Sequence, residues 1–238
     1  MKKIDTSNRT QEIEIMDDFD LEGAELKEAL DKIAKINQFL GGNKLTLQGL
    51  KTLLKNADKT FEIVVVDIGC GNGDMLRYIA EFGIKNQYNF KLIGIDANAF
   101  TINYALELSK EYSNISYKCM DIFDKSFEDV KYDIILTTLT LHHFENHKII
   151  SLLKVFTTNS RFGIIINDLH RSIFAYRLFQ LVCVVFKLNT MSKNDGLTSI
   201  LRGFKKQELQ EFCNQLNFRK YSIRWKWAFR YQWIIWRS

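Results

Sequence analysis

The chain of 238 residues contains no proline and only 12 glycines. Its helix and strand ends therefore have to be read from glycines and from changes of hydrophobic period rather than from rigid breaks. The four cysteines, Cys70, Cys119, Cys183 and Cys213, are far apart and form no CxxC pair. That excludes zinc-ligand spacing and a disulfide framework, and it points to a reducing cytoplasm. Long hydrophobic runs are also missing. The most apolar stretch, 173–188, is interrupted by Arg177, Gln180 and Lys187, short of the ~20 apolar residues a membrane span needs. Residues 1–20 are polar and acidic, so no signal peptide is expected. Neither sign of charge dominates: 33 basic against 28 acidic residues give a formal net charge of +5, too mild to imply a nucleic-acid partner. What remains is an ordinary globular composition, 46% hydrophobic and 26% charged, long enough for one core with a helical addition.

The first ~20 residues read as frayed. Asp20 is placed to cap a helix running to Leu40, closed by Gly41 and Gly42, with Leu26, Leu30, Ile33 and Leu40 as its apolar stripe. Asn37 falls on that stripe and needs a polar partner there, from the protein or from a ligand. A second helix is expected over 47–57. Short apolar runs then alternate with amphipathic segments: strands at 61–66, 90–95, 115–119, 132–136 and 162–166, with helices near 75–82, 101–112 and 147–156 between them. Buried β-branched runs separated by helices define a parallel α/β sheet. Residues 205–216 read as another helix. The segment 221–236 reads as an antiparallel hairpin at the sheet edge, its turn unmarked by glycine. Its interleaved aromatic and basic residues, 225–231, fit an edge strand with one buried face better than a nucleic-acid or anionic-membrane surface. These elements predict a helical cap over 1–60 and a main domain over 61–238, with a helical insert at about 171–200. That insert reads either as a lid over a site or as a core helix.

The strongest local signal is Asp67-Ile68-Gly69-Cys70-Gly71-Asn72-Gly73-Asp74 after the strand 61–66. A buried strand ending in an acid, then three alternate glycines, then a helix lets the backbone turn tightly against a ligand. The dinucleotide pattern GxGxxG is not met, because Asp74 stands where its third glycine would be. The second strand ends in Asp96, whose carboxylate can accept from both hydroxyls of a ribose. The third is followed by Asp121 and Ile122, an acid and an apolar side chain suited to an adenine. All three features fall on one rim of the sheet; helix capping is the alternative reading of the acids.

With GID at 94–96, MDIFD at 120–124 and LHHF at 141–144, this glycine motif resembles the class I S-adenosylmethionine-dependent methyltransferases, and LHHF resembles the ubiquinone/menaquinone-biosynthesis type. MDDFDLEGAELKEAL and INQFLGG near the N-terminus, NDLHRS at 167–172 and SILRGF at 199–204 bring it closest to a bacterial subgroup encoded beside type III polyketide synthases. The resemblance spans roughly residues 15 to 236. It implies a Rossmann-like α/β methyltransferase fold with a mostly parallel seven-stranded sheet, and S-adenosylmethionine as cofactor. Asp67, Gly69, Cys70, Gly71 and Gly73 would hold its methionine part, Asp96 and Ala97 its ribose, Asp121 and Ile122 its adenine. Thr137 or Thr138 would lie near the sulfonium. The family often has proline at position 99 and Thr-Pro at 205–206; Ala99, Lys205 and Lys206 depart from that at helix starts.

Methyl transfer to a hydroxyl also needs a base, and histidine titrates nearest neutral pH. His143 is preferred, with His142 and Asp168 beside it on the same rim; the alternative is that one histidine packs and the other caps the next helix. Asn37, His170, Arg171 and Arg202 are candidates for the acceptor, although a surface ion pair would also account for either arginine. A lid reading of 173–188 makes the acceptor small and hydrophobic, such as a phenolic or polyketide-type hydroxyl in secondary metabolism. A quinone carbon, an amine or RNA as acceptor remain open, as does a non-catalytic adenosylmethionine-binding protein. No metal and no nucleic acid are expected, peripheral membrane contact is left open, and the assembly is a monomer or homodimer.

Overall fold

The computed structural model describes residues 4–128 and 130–237. Five parallel strands form its centre: β1 (Ile63–Ile68), β2 (Phe90–Asp96), β3 (Ile115–Cys119), β4 (Tyr132–Thr138) and β5 (Ser160–Leu169). β6 (Tyr221–Lys226) and β7 (Arg230–Trp236) add an antiparallel hairpin, giving the order β3-β2-β1-β4-β5-β7-β6. Strand order reverses between β1 and β4, which opens a crevice at the carboxyl ends of the strands. Side chains alternate across the sheet. Val65, Leu92, Ile134 and Ile165 pack on one face with α2 (Gly42–Leu53) and α3 (Asp74–Asn86). Val66, Ile93, Ile135 and Ile164 pack on the other with α6 (Asn146–Asn159) and α9 (Lys206–Gln215). Both faces are buried, which is why the strands read as continuous apolar runs. α4 (Ala99–Leu108) and the short α5 (Lys125–Glu128) complete the layers. No helix among the described residues is long and apolar enough to cross a membrane.

Several expectations are corrected. The first helix, α1 (Ala24–Phe39), starts from Gly23 and not from Asp20. α2 begins at Gly42, five residues before the expected start, because its first turn carries buried Asn43 and Thr46, which an apolar period does not register. Residues 4–23 are not frayed. They form a strap across the C-terminal rim, held by polar bonds: the Arg9 guanidinium donates to the carbonyls of His142 (2.7 Å) and Phe144 (2.9 Å), and Asp195 accepts from the amides of Ile15 (2.9 Å) and Met16 (3.0 Å).

The insert forms two helices, α7 (Ile173–Val185) and α8 (Thr190–Arg202). α7 is not a core helix: Ala175, Leu178, Phe179 and Val182, at helical spacing, line the crevice. On its outer side Phe174 is 72% and Val184 76% exposed. The edge hairpin is present, but its buried face is not the aromatic one throughout. Trp225 and Trp227 are exposed while Arg230 is buried, because the turn at 227–229, with Phe229 at φ +52°, restarts the alternation.

Gly163 sits in β5 at φ +141°, where an added Cβ would meet the Ile235 carbonyl oxygen of β7 at 2.1 Å. Gly163→Ala should therefore cost about 2–3 kcal/mol through overpacking and backbone strain, read as a lower midpoint in denaturant unfolding.

Candidate active site

The loop after β1 folds back onto the rim. The amides of Gly69 and Cys70 donate to the Ile95 carbonyl at 2.8 and 3.1 Å, tying the loop to β2. Gly69, Gly71 and Gly73 all adopt left-handed backbone, φ +65°, +52° and +77°, which only glycine takes without strain. Asp96, ending β2, accepts from the Gly71 amide (3.2 Å) through one oxygen and from the Asn98 amide (3.1 Å) through the other. Each oxygen keeps a lone pair for a further donor. Burial pushes the Asp96 carboxyl up, and it pushes that of Asp67 up further, with Asp74 and Asp96 adding repulsion. Asp67 Oδ1 is buried without a partner.

These groups border a cavity of about 370 Å³ at the crevice. Asp67, Gly69, Cys70, Gly71, Asp96, Ala97, Asp121, Ile122 and Thr138 of the expected cofactor set line it. Gly73 stands just behind, as the N-cap of α3. Thr137 is buried with its hydroxyl unpartnered and does not reach the cavity wall. The left-handed glycines, the orphaned Asp67 oxygen and the half-satisfied Asp96 suit a nucleoside with an attached amino acid and cation.

The opposite wall carries the histidines, set on a short 3-10 turn after β4. His142 is buried; its Nδ1 lies 2.7 Å from Asp168 Oδ1, and its backbone amide donates to Asp168 Oδ2 at 3.2 Å. Burial would raise the Asp168 carboxyl, but the charge and hydrogen bond of His142 hold it below the ordinary value. His142 Nε2 has no hydrogen-bond partner. His143 is part-exposed and lines the cavity, with Nδ1 2.5 Å from Asp17 Oδ1. Asp17 also accepts from Arg202 Nη1 at 2.5 Å. Burial would raise the Asp17 carboxyl, yet His143 and Arg202 hold it well below its usual value. Glu14 accepts from Ser199 (2.6 Å) and Arg202 (3.4 Å), and burial pushes its carboxyl up. Ligating atoms of Glu14, His142 and His143 lie within 4.8 Å of one another, close enough for a cation; Arg202 already places a positive charge on the same Glu14 oxygen.

Of the candidates for the acceptor, Asn37 lines the cavity, and Arg230 donates to its side-chain oxygen at 2.7 Å. Arg202 braces the strap. His170 and Arg171 are not among the lining residues. His170 accepts from the Trp225 indole at 3.2 Å. The buried Arg171 guanidinium pairs with Glu208 at 2.6 Å and donates to carbonyls of Gly203, Thr6 and Ser7. Sequence reading missed Glu14 and Asp17, in a segment without apolar period, and Arg230, whose place in an alternating edge segment assigned it to solvent.

A glycine loop at the switch point with ionisable side chains around the same cavity marks a Rossmann-like fold that binds a nucleotide-type ligand. The family described as methyltransferase domain matches residues 59–221, and the chain belongs to it: this is a methyltransferase domain of the S-adenosylmethionine-dependent class. The solved plantazolicin methyltransferase BpumL, in complex with SAH, shares the fold at a TM-score of 0.68 and 19% identity, over 89% of this chain and 90% of that one. Among curated relatives, the 235L protein of Invertebrate iridescent virus 6, which carries a methyltransferase name, is 37% identical over 92 residues, 34% of this chain. Tocopherol O-methyltransferase, chloroplastic, of Arabidopsis thaliana is 24% identical over 160 residues, 61% of this chain. The chain spans 32% and 44% of the length of these two relatives.

Two outcomes are expected. Asp96→Ala should weaken S-adenosylhomocysteine binding by about 1.5–3 kcal/mol, the worth of hydrogen bonds to a charged group, as measured by calorimetry. Asp17→Asn should destabilise the protein at neutral pH by about 1–3 kcal/mol, between the costs of exposed and buried pairs. A depressed carboxyl contributes stability above its unfolded pKa of ~3.9 and loses it as pH falls toward the folded value. The gap between wild type and Asp17→Asn should thus close below about pH 4 in denaturant titrations.

Proposed function

We propose that the protein methylates a hydroxyl on a small hydrophobic acceptor, of phenolic or polyketide type, with His143 as the general base. The observation that carries this reading is the His143–Asp17 pair at the cavity wall. An ionised carboxylate can only accept, so in the neutral imidazole the proton sits on Nδ1 and Nε2 keeps a lone pair for a proton from the acceptor. S-adenosylmethionine supplies the activated methyl group and its own leaving group. The chain's residues therefore have to bind, align and deprotonate. In this reading the glycine loop, Asp96 and Asp121 fix the donor end, while Thr138 stands between donor and base. Asp17 orients His143, and the buried Asp168–His142 pair holds the turn that carries it. Leu178, Phe179 and Val182 of α7, facing Ile33, Ile36 and Leu40 of the α1 region, give the acceptor apolar walls and exclude water. The printed name of the plant relative, a tocopherol O-methyltransferase, accords with an apolar acceptor methylated on oxygen. The resemblance to the subgroup encoded beside polyketide synthases points the same way, and the unpaired cysteines suit a reducing cytoplasm.

Methylation assays with alkylresorcinol-type phenols beside small polar amines test the reading, and methylation of the amines alone would overturn it. In the same assay His143→Asn should lower kcat by about 10²–10⁴-fold, the usual worth of a general base, with S-adenosylhomocysteine affinity unchanged. A variant retaining full kcat would remove His143 from the reaction.

A further inference from the structure

Arg230, at the start of β7, is 3% exposed and lines the cavity. Its Nη1 donates to Asn37 Oδ1 at 2.7 Å, its Nε has no partner, and it makes no ion pair among the described residues. The other buried arginine, Arg171, has a carboxylate at 2.6 Å. The one acidic charge among the described residues that reaches it, Asp168, is already bonded to His142; a buried guanidinium with no carboxylate of its own is costly, and a ligand that supplies the charge offsets that cost. Burial lowers its pKa to about 10, which leaves it cationic at neutral pH.

Its strand is set apart from the one that carries the cofactor loop. β7 stands three strands from β1, across β4 and β5, roughly 14 Å at ~4.8 Å per strand. Around it the cavity is apolar: Leu169, opposite in register, and Ala228 and Phe229, which precede it in the turn. Asn37 holds the guanidinium and is itself hydrogen-bonded to Asn43, which donates to Asp74 at 2.8 Å. The head group is thus fixed from α1 and α2 before any ligand arrives.

We propose that Arg230 is the anchor for an ionised oxygen group on the acceptor, a carboxylate or an acidic enolate, distinct from the hydroxyl that is methylated. The acceptor is then an amphiphile with its acidic head at Arg230 and its apolar body along α7. This deepens the reading above and rests on the cavity being a cofactor-plus-acceptor chamber.

Calorimetry of the full chain, with and without S-adenosylhomocysteine, tests it using dodecanoate and dodecan-1-ol, which share a chain and differ in charge. Wild type should bind dodecanoate at least 10-fold more tightly than the alcohol. Arg230→Gln should erase that preference and leave the affinities for the alcohol and for S-adenosylhomocysteine unchanged. Equal binding of the two probes by wild type overturns the proposal, and this arm needs no variant to fold. A loss of S-adenosylhomocysteine affinity in Arg230→Gln, with methylthioadenosine affinity unchanged, also overturns it, because the guanidinium then holds the amino-acid carboxylate of the cofactor. Failure of wild type to bind S-adenosylhomocysteine at all would instead sink the methyltransfer reading, while the dodecanoate preference stands or falls by itself.

Discussion

A carboxylate removed from water persists only where a positive charge or several donors meet it, and the rim of this sheet is organised by that constraint. Glu14, Asp67 and Asp168 are each no more than 4% exposed. Asp168 is met by His142, from the turn after β4, and Glu14 by Ser199 and Arg202, from the end of α8. Asp96 is met by backbone amides alone and Asp67 Oδ1 by no partner among the described residues, and burial raises both carboxyls. A positive charge brought to that half of the crevice would offset the burial of both. Each compensating group comes from a different part of the chain, so satisfying the charges also draws strap, insert and sheet into one unit.

The same logic separates the two histidines, which are adjacent in sequence and have ring centroids 4.3 Å apart. His142 is held by Asp168 and almost fully buried, yet it also borders the cavity, its Nε2 without a hydrogen-bond partner among the described residues. His143 is oriented by a carboxylate and still touches the cavity, the combination that proton transfer requires. The difference in exposure follows from the direction each side chain takes off a single 3-10 turn.

The sheet was legible because its strands are buried on both faces, and a run such as Ile63–Ile68 has no other reading once a glycine loop follows it. That Gly69, Gly71, Asp96 and Asp121 share one rim was legible for a related reason: each stands at a strand end, where topology alone brings them together. The wall built from the N-terminal strap and β7 was not. Glu14 and Asp17 lie in a polar segment with no period, and only the folded chain shows that it crosses the rim. Arg171 and Arg230 are equally basic in sequence, yet one is neutralised by Glu208 while the other faces the cavity. Nothing local distinguishes them, because the difference is set by partners 37 and 193 residues away.

The stretch that matches the methyltransferase family begins at residue 59 and ends at 221. Asp17 and Asn37 precede it and Arg230 follows it, so part of the cavity wall comes from flanks outside the matched stretch, while α7 and the histidine turn lie within it. The glycine loop and Asp96 thus lie inside the matched stretch, and those three side chains of the cavity wall lie outside it. Likeness over that stretch carries the methyltransferase class and says nothing of the wall that the flanks contribute.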